Sequence, residues 1–363
     1  CPATEDRERI VKCFDAGAAA AILKSCHPLH TPGLPAGARR FRHSVRGIWG
    51  SSTTGRELLS PQQASRLYTD LCQSKNHVVI PSLAGFSLDS REWIDTLRFF
   101  EPLQPPCVQL DLFYLNEDLS LPDTQARLGT LMMRLRENCT LPLLPKLNQE
   151  LRPGAALATF KHTGIAGWSL LDSIRTHLPS HPQAGDSGFP VFAHAQVPGS
   201  ASLFGGWQLP LVSEYVYRLH ANSPISIVAG GGVNQASDVV QLLALGAQAV
   251  QVATPVLVEG PAWIRRTLRD LVTATEIQAG PVASPQTFDR VRAHIDLAQC
   301  SGCGQCTEQL MCNAIRMTTC GPQIQPDRCE GCGFCLGLCA NHAIHLHPYY
   351  PKPQYITEMI DGE

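Results

Sequence analysis

The chain has 363 residues, enough for one large domain and a smaller one. Its 29 lysines and arginines nearly balance 31 aspartates and glutamates, which argues against nucleic acid and anionic membrane as partners. The sequence contains neither an apolar run long enough to cross a bilayer nor a signal segment. We therefore expect a cytoplasmic protein with no membrane or nucleic-acid partner.

Short apolar runs alternate with amphipathic helical stretches up to about residue 275, which is typical of a βα repeat with a parallel sheet. Thr4 and Asn234 are candidate helix caps. A (β/α)8 TIM barrel needs eight strands, and seven are predicted. The first strand would lie just upstream of Cys1, so we expect either a truncated chain or a first strand that is supplied in another way. The predicted strands are Ala19–Leu23, His77–Pro81, Cys107–Leu112, Leu141–Lys146, Gly167–Leu170, Ile225–Ala229 and Ala249–Ala253.

Two long connections, from about Cys26 to Pro61 and from Ser173 to Pro210, both follow predicted strands. They should lie at the C-terminal face of a barrel, where active sites are found. Six histidines in these connections are each expected to be solvated, namely His27, His30, His43, His177, His181 and His194.

Nine of the fifteen cysteines lie between Cys300 and Cys339. This crowding fits metal or cluster binding in a reducing compartment better than a disulfide scaffold. Eight of them form two runs with the ligand spacing of two [4Fe–4S] clusters. A pair of zinc ribbons, the alternative, uses Cys-x2-Cys pairs and has no need of a third cysteine at the same spacing. The runs are Cys300-x2-Cys303-x2-Cys306-x5-Cys312 and Cys329-x2-Cys332-x2-Cys335-x3-Cys339.

In a ferredoxin-like arrangement the fourth cysteine of each run binds the other cluster. One cluster would then be held by Cys300, Cys303, Cys306 and Cys339, and the other by Cys329, Cys332, Cys335 and Cys312. The ninth cysteine, Cys320, is expected to be a packing residue. The first three cysteines of the two runs are offset by 29 residues within an internal repeat. We predict a barrel at 1–275, a linker at 276–294, a small α+β two-cluster ferredoxin domain at 295–348 and a C-terminal tail at 349–363.

A glycine turn follows the sixth predicted strand, and Ala253-Thr254 follows the next one. Glycines allow backbone N–H groups to close on a phosphate, and the phosphate site of a barrel typically follows strands seven and eight. A tight turn without a ligand is the alternative. The candidate phosphate-binding residues are Gly230, Gly231, Gly232, Ala253 and Thr254.

The segment SPISIVAGGGVNQASDVVQLLALGAQAVQVATPVL resembles the FMN-phosphate region of the dihydroorotate and dihydropyrimidine dehydrogenase family. CPATEDRERIVKCFDAGAAAAILKS resembles the first helix and second strand of dihydroorotate dehydrogenase-like proteins, and LPLLPKL resembles their fifth strand. A cluster-bearing module after such a barrel is also the dihydropyrimidine dehydrogenase arrangement. The resemblance implies that Lys24 and Lys146 face a flavin ring, with Ser25 and Asp111 among the cofactor-binding residues.

The predicted strand Cys107–Leu112, which would be the fourth strand of the barrel, departs from the family pattern. Asp111 stands where the family has a flavin-contacting asparagine, and Tyr114 stands in the position of the acid–base cysteine. Tyrosine, with an ordinary pKa near 10, is a poor base at neutral pH but can donate a proton. Tyr114 is therefore the candidate catalytic residue, and a packing aromatic is the alternative.

We therefore predict an FMN- and iron–sulfur-dependent oxidoreductase that acts on CH–CH bonds of a small unsaturated, pyrimidine-like substrate. The glycine turn lacks the Gly-x-Gly-x-x-Gly spacing of a nicotinamide site, so we expect an NAD(P)H/FAD reductase subunit or a ferredoxin as electron partner in a homo- or hetero-oligomer. The alternative is an electron-transfer subunit of a larger complex with a catalytically degenerate barrel. A tRNA-reducing flavin barrel is disfavoured because the chain has no basic surplus.

Overall fold

The computed structural model describes residues 4–28, 42–45, 48–52, 58–74, 77–177, 200–276, 291–310 and 312–348. The chain divides into two compact units, Cys1–Ala279 and Gly280–Glu363. No helix within the described ranges has the length and the apolar character that crossing a bilayer requires.

The first unit alternates short strands with helices. Its strands are β1 (Ala20–Ile22), β2 (Arg42–Val45), β3 (Ile48–Ser52), β4 (Val78–Ile80), β5 (Ser82–Ala84), β6 (Val108–Asp111), β7 (Leu143–Lys146), β8 (Gly167–Ser169), β9 (Ile174–His177), β10 (Ser200–Phe204), β11 (Ser226–Gly230) and β12 (Ala249–Gln251). Its helices are α1 (Arg7–Asp15), α2 (Pro61–Ser74), α3 (Ser90–Leu97), α4 (Pro122–Asn138), α5 (Pro153–Phe160), α6 (Leu209–Asn222), α7 (Ala236–Ala244), α8 (Thr254–Glu259) and α9 (Ala262–Glu276).

Six strands form one parallel sheet in the order β12-β11-β8-β7-β6-β5. β1 pairs in parallel with β4, and a bridge from Cys26 to Leu83 continues this pairing alongside β5. Pro81, which has no N–H to donate, separates β4 from β5. All seven predicted strand positions are thus confirmed, and the mixed α/β architecture is compatible with a TIM-barrel-like fold.

Large apolar side chains between the sheet and its helices form the core, including Trp93, Phe100, Phe160 and Trp168, each at most 1% exposed. β6 and β8 are buried along their whole length, as expected for strands covered on both faces.

Both predicted helix caps are wrong by one or two residues. Asp6, and not Thr4, caps α1, because its Oδ1 accepts the Arg9 N–H at 2.9 Å. α7 is preceded by Gln235, and the Asp238 carboxylate accepts the N–H groups of Asn234 and Gln235. In each case a carboxylate, which is a strong acceptor for the exposed amides of a first turn, takes the capping role.

The two long connections contribute an antiparallel sheet that their sequence did not predict. Its order is β2-β3-β10-β9, and β10 pairs with β3 and β9 on its two sides. Because β2 and β3 belong to the first connection and β9 and β10 to the second, this sheet joins the two segments. The first connection follows β1, and the second follows β8.

The second unit contains β13 (Val291–Ile295), β14 (Ile315–Thr318), β15 (Gly321–Ile324), β16 (Ile344–Pro348) and the short helix α10 (Gln305–Glu308). β13 pairs with β16 and β14 with β15, both antiparallel. Ile295 pairs with Ile344 and Ile315 pairs with Ile324. In the 29-residue repeat Ile295 corresponds to Ile324 and Ile315 to Ile344, so each pair joins the two copies of the repeat. All four isoleucines pack in one small core with the cysteine runs.

Candidate functional site

The carboxyl ends of the parallel strands bring several of the predicted site residues together. Asp111, at the end of β6, is opposite Lys146 at the end of β7. Gly230, at the end of β11, is opposite Gln251 at the end of β12. Ligands of parallel α/β sheets bind at this edge, so the strand ends form the candidate site.

Lys146 forms an ion pair inside this site. Its Nζ donates to Asp172 Oδ2 at 2.8 Å, and the side chains are only 19% and 14% exposed. Burial acts to lower the pKa of Lys146, but the carboxylates of Asp172 and Asp111 outweigh it, and the pKa is raised above its ordinary value. Lys146 is therefore a permanent cation whose nearest anion belongs to the protein.

Lys24 is in a different position. It is 8% exposed, and within the described residues its ammonium has neither an ion-pair nor a hydrogen-bond partner. A buried charge without a partner is costly, so an anionic group bound here would be favoured. Lys24 thus fits the role of a counter-charge for a ligand better than Lys146 does.

Ser25, the neighbour of Lys24, belongs to a polar network inside the parallel sheet. Its Oγ donates to Asp111 Oδ2 at 2.7 Å and lies 3.0 Å from Ser82 Oγ. Ser25, Ser82 and Asp111 are all at most 5% exposed. Asp111 is therefore fixed by hydrogen bonds within this polar network, at the position where Lys146 also contributes its charge.

The glycine turn has the backbone conformation that its sequence requires. Gly231 and Gly232 have φ of 103° and 82°, which favours glycine. A Cβ on Gly232 would lie 2.4 Å from the backbone nitrogen of Leu209, so no other residue fits without displacing α6. Ala253 and Thr254 follow the neighbouring strand β12, which places them beside this turn.

A second glycine turn, Gly205-Gly206, packs against the first and was missed in the sequence. A Cβ on Gly206 would lie 2.4 Å from Asn234 Nδ2, and Asn234 in turn donates to the Gly232 carbonyl. Trp207 follows, and its buried indole N–H has no partner within the described part of the chain. The sequence signal that could have predicted this turn is the pair of adjacent glycines shortly before α6.

Tyr114 lies in the 3₁₀ turn after β6 and is partly buried. Its ring meets Phe86 and Phe113 edge-on, with ring centroids 6.5 and 5.6 Å away. Its electrostatic neighbour is Lys146. The turn thus places the Tyr114 ring against two other aromatic rings, with Lys146 as a charged neighbour.

The prediction that His27 is a solvated loop residue is wrong. His27 is 1% exposed, and its Nε2 lies 2.5 Å from Glu92 Oε1. Glu92 also accepts the N–H groups of Phe86 and Ser87 and the Ser87 hydroxyl. Since Phe86 contacts both His27 and Tyr114, this clamp holds the wall of the site. For the other five histidines of the two connections, the side chains lie outside the described residues.

The Glu92 clamp should make the stability of the first unit depend on pH. Burial acts to raise the pKa of Glu92, but the hydrogen bonds from His27, Phe86 and Ser87 outweigh it and lower the pKa. A depressed folded-state pKa adds stability that is present above the unfolded pKa, near 4.3, and is lost as the pH falls through the folded value. We expect Glu92→Gln to reduce this acid-side loss.

Urea unfolding at several pH values would measure the effect. All five tryptophans lie in the first unit, so their fluorescence reports on that unit alone. Asp95→Asn, which removes an exposed carboxylate of the same helix, should leave the pH dependence unchanged and serves as the control. Equal acid-side losses in wild type and Glu92→Gln would contradict the role of the clamp.

In the second unit, four cysteines from both runs surround one cavity of about 140 Å³. They are Cys300, Cys303, Cys306 and Cys339. Burial raises the pKa of the Cys306 thiol, and the other three sulfurs of the set raise it further. The sulfurs lie around a space, and among the described residues no three His, Cys, Asp or Glu side chains are placed to hold a single ion.

The other four cysteines form a second set. Burial raises the pKa of Cys335 to about 11, and the three sulfurs that add to this effect are those of Cys329, Cys332 and Cys312. Backbone N–H groups of Ala293 and Ala343 donate to Cys329 Sγ and Cys339 Sγ, one from each set, at 3.3 Å. The structure thus brings the eight cysteines together as two sets of four in which the fourth cysteines of the runs are exchanged.

Cys320 belongs to neither set. It lies at the turn between β14 and β15 and is exposed, so the prediction that it packs in the interior is wrong. The hairpin turn projects the residue away from the small core, which is filled by the isoleucines and the cysteines of the two sets.

No family model matches this sequence. Among curated proteins, the chain is similar to the "Putative dihydroorotate dehydrogenase A (fumarate)" of Aeropyrum pernix, with 24% identity over 209 residues. The matched residues are 56% of this chain and 64% of that protein, so the chain spans less than two thirds of its relative's length. The chain therefore has a distant homologue that is named as a dihydroorotate dehydrogenase.

Proposed function

We propose that this chain is an iron–sulfur flavoprotein oxidoreductase that holds FMN in the first unit and two [4Fe–4S] clusters in the second. The observation that carries the proposal is the grouping of eight cysteines into two sets with exchanged fourth members. Four thiolates around a cavity fit an iron–sulfur cube, because soft ligands favour iron–sulfur clusters and each cube is held by four of them. N–H groups directed at the sulfurs are a known means of tuning such a cluster.

The first unit supports the FMN half of the proposal through the charge of Lys24 and the paired glycine turns. Lys24 would compensate negative charge on the ring, and backbone N–H groups of Gly231, Gly232 and Thr254 would hold the phosphate. Trp207 offers a further donor near these turns. Bound FMN supplies two-electron hydride chemistry, and bound clusters supply one-electron transfer.

The substrate would be a small molecule with an activated C=C bond, either formed or reduced at a CH–CH position. Tyr114 is the proposed proton donor, held against the Phe86 wall. The name of the Aeropyrum pernix relative supports a dihydroorotate-like or fumarate-like compound. An external reductase subunit or ferredoxin would exchange electrons with the clusters.

A second candidate function is that of an electron-transfer subunit that has no small-molecule substrate of its own. The ion pair between Lys146 and Asp172 favours it, because an ammonium already neutralised by the protein contributes less to binding an anionic substrate. Tyrosine in place of the family's acid–base cysteine points in the same direction.

Anaerobic purification with metal and flavin analysis tests the proposal. We expect one FMN and about eight irons per chain, as two [4Fe–4S] cubes require. Zinc in place of iron would refute the cluster assignment, and a protein that binds no flavin would refute the FMN assignment.

Reoxidation of the reduced protein separates the two candidate functions. After anaerobic reduction, fumarate, orotate, uracil and 2-cyclohexenone would each be added, and flavin absorbance followed. Oxidation by one of these compounds supports the enzyme, and its loss in Tyr114→Phe supports the proton-donor role. Oxidation by a ferredoxin alone supports the electron-transfer subunit.

A further inference from the structure

A continuous chain of hydrogen bonds crosses the interior of the parallel sheet from β12 to Asp111. Its five links are Gln251 Nε2 to Ser169 Oγ at 2.9 Å, Ser169 Oγ to Gln109 Oε1 at 2.9 Å, Gln109 Nε2 to Ser82 Oγ at 2.9 Å, Ser82 Oγ to Ser25 Oγ at 3.0 Å and Ser25 Oγ to Asp111 Oδ2 at 2.7 Å. The interior layers of a barrel are usually filled by branched apolar side chains, so a polar layer here is a specific feature of this chain.

The direction of this chain is fixed at its β12 end. Gln251 Nε2 also lies 2.6 Å from the Leu170 carbonyl oxygen, which can only accept a hydrogen bond. This atom must therefore be the amide nitrogen, and it donates to Ser169 with its second hydrogen. A carbonyl neighbour thus settles the orientation of an amide that would otherwise be ambiguous.

The direction of each following link then follows if every hydroxyl hydrogen is donated within the chain, because each serine has one hydrogen and only one partner in the chain that is not already donating to it. Ser169 accepts from Gln251 and so gives its hydrogen to Gln109, whose other amide atom is then the nitrogen that donates to Ser82. Ser82 must pass its hydrogen to Ser25. Ser25 accepts that bond and can only donate onward to Asp111.

We propose that this one-way chain keeps Asp111 ionised, as a fixed hydrogen-bond acceptor and a fixed negative charge in the ligand site. Oδ2 accepts the Ser25 hydroxyl hydrogen and Oδ1 accepts the Phe113 N–H at 3.4 Å, so a proton on either oxygen would face a donor. Reversing the chain would turn the Gln251 amide oxygen toward the Leu170 carbonyl oxygen, and both of these atoms are acceptors. Asp111 is 4% exposed, and the Lys146 ammonium supplies the opposite charge that a buried carboxylate needs.

The charge has a consequence for the bound flavin, and this step rests on the proposed function. A buried carboxylate beside the ring disfavours additional negative charge on it. The family that the sequence resembles has an asparagine at this position. Its side chain is neutral and has nearly the same shape as that of aspartate. Asp111 therefore lowers the affinity for reduced FMN relative to oxidised FMN.

Infrared difference spectroscopy tests the ionisation directly on the purified holoprotein. With isotope-labelled aspartate, wild type minus Asp111→Asn at neutral pH should show the loss of a carboxylate band. Loss of a protonated carboxyl band would overturn the proposal. The result does not depend on whether flavin is bound.

The midpoint potential of bound FMN tests the consequence. In Asp111→Asn we expect reduced FMN to bind more tightly relative to oxidised FMN by roughly tenfold, which is a rise of about 30 mV for a two-electron couple. Asp123→Asn, which removes an exposed carboxylate in the first turn of α4, should leave the potential unchanged. An unchanged potential in Asp111→Asn with FMN bound would overturn the flavin step. A wild-type protein without FMN would instead refute the proposed function and leave the infrared test standing.

Discussion

Replacement of Cys300 and Cys339 together by alanine is expected to leave one complete [4Fe–4S] cluster, with about four irons per chain. Replacement of Cys300 and Cys312 together should leave none, because each set then keeps only three thiols. Both double variants lack two cysteines, and both lack Cys300, so they differ only in how the losses are distributed. Iron analysis and the electron paramagnetic resonance spectrum of the reduced protein would distinguish them.

The expected difference follows from the exchange of the fourth cysteines. Cys339 lines the same cavity as Cys300, although 39 residues separate them and Cys312 is much nearer in sequence. If each run held its own cluster, the outcomes would be reversed. Replacement of Cys300 and Cys312 would then leave one cluster complete, and replacement of Cys300 and Cys339 would remove a ligand from each cluster.

Cys320→Ala is the matched control, since this exposed cysteine lies in neither set. It should keep about eight irons and the spectrum of wild type. The variants that lose clusters should also lose the fold of the second unit, because a unit this small relies on its metal centres for folding energy. Resistance of the second unit to proteolysis would report this loss separately from iron content.

The parallel strands could be predicted from the sequence because burial on both faces produces continuous apolar runs. The segment Leu143-Leu144-Pro145-Lys146 shows how much such a run predicts. The run predicts a strand, and the lysine at its end predicts a polar group at the carboxyl edge of the sheet. The anion that pairs with Lys146 could not be predicted, because Asp172 belongs to the next βα unit and its pairing depends on register.

Contacts between segments distant in sequence account for the other differences. His27 was predicted to be solvated because it lies in a long connection, whereas Glu92, 65 residues later, gives it a hydrogen-bond partner. The antiparallel sheet of β2, β3, β9 and β10 arises in the same way, from two connections that have no apolar periodicity of their own. The spacing of the cysteines, in contrast, is a local property, and it predicted the two runs from the sequence alone. The exchange of their fourth cysteines was expected from a ferredoxin-like arrangement and not from the spacing.

Lys146→Met is expected to destabilise the first unit by about 3–5 kcal/mol, because it leaves the carboxylates of Asp172 and Asp111 buried without their common cation. Removal of one partner from a buried ion pair costs more than removal of both. The double variant Lys146→Met with Asp172→Asn should therefore recover a large part of the loss. Urea unfolding of wild type, Lys146→Met, Asp172→Asn and the double variant, followed by tryptophan fluorescence, would give the four free energies of unfolding that a double-mutant cycle requires.

Lys12→Met provides the control, since Lys12 pairs with Glu8 on the exposed face of α1 and its removal should not measurably change stability. A loss in Lys146→Met no larger than that of Lys12→Met would show that the buried pair is not structural. The double variant also separates stability from ligand binding. This variant has a restored fold but no ammonium beside Asp111. A weaker affinity for FMN than in wild type would assign Lys146 a role in the flavin site. An unchanged affinity would leave Lys24 as the cation that the flavin requires.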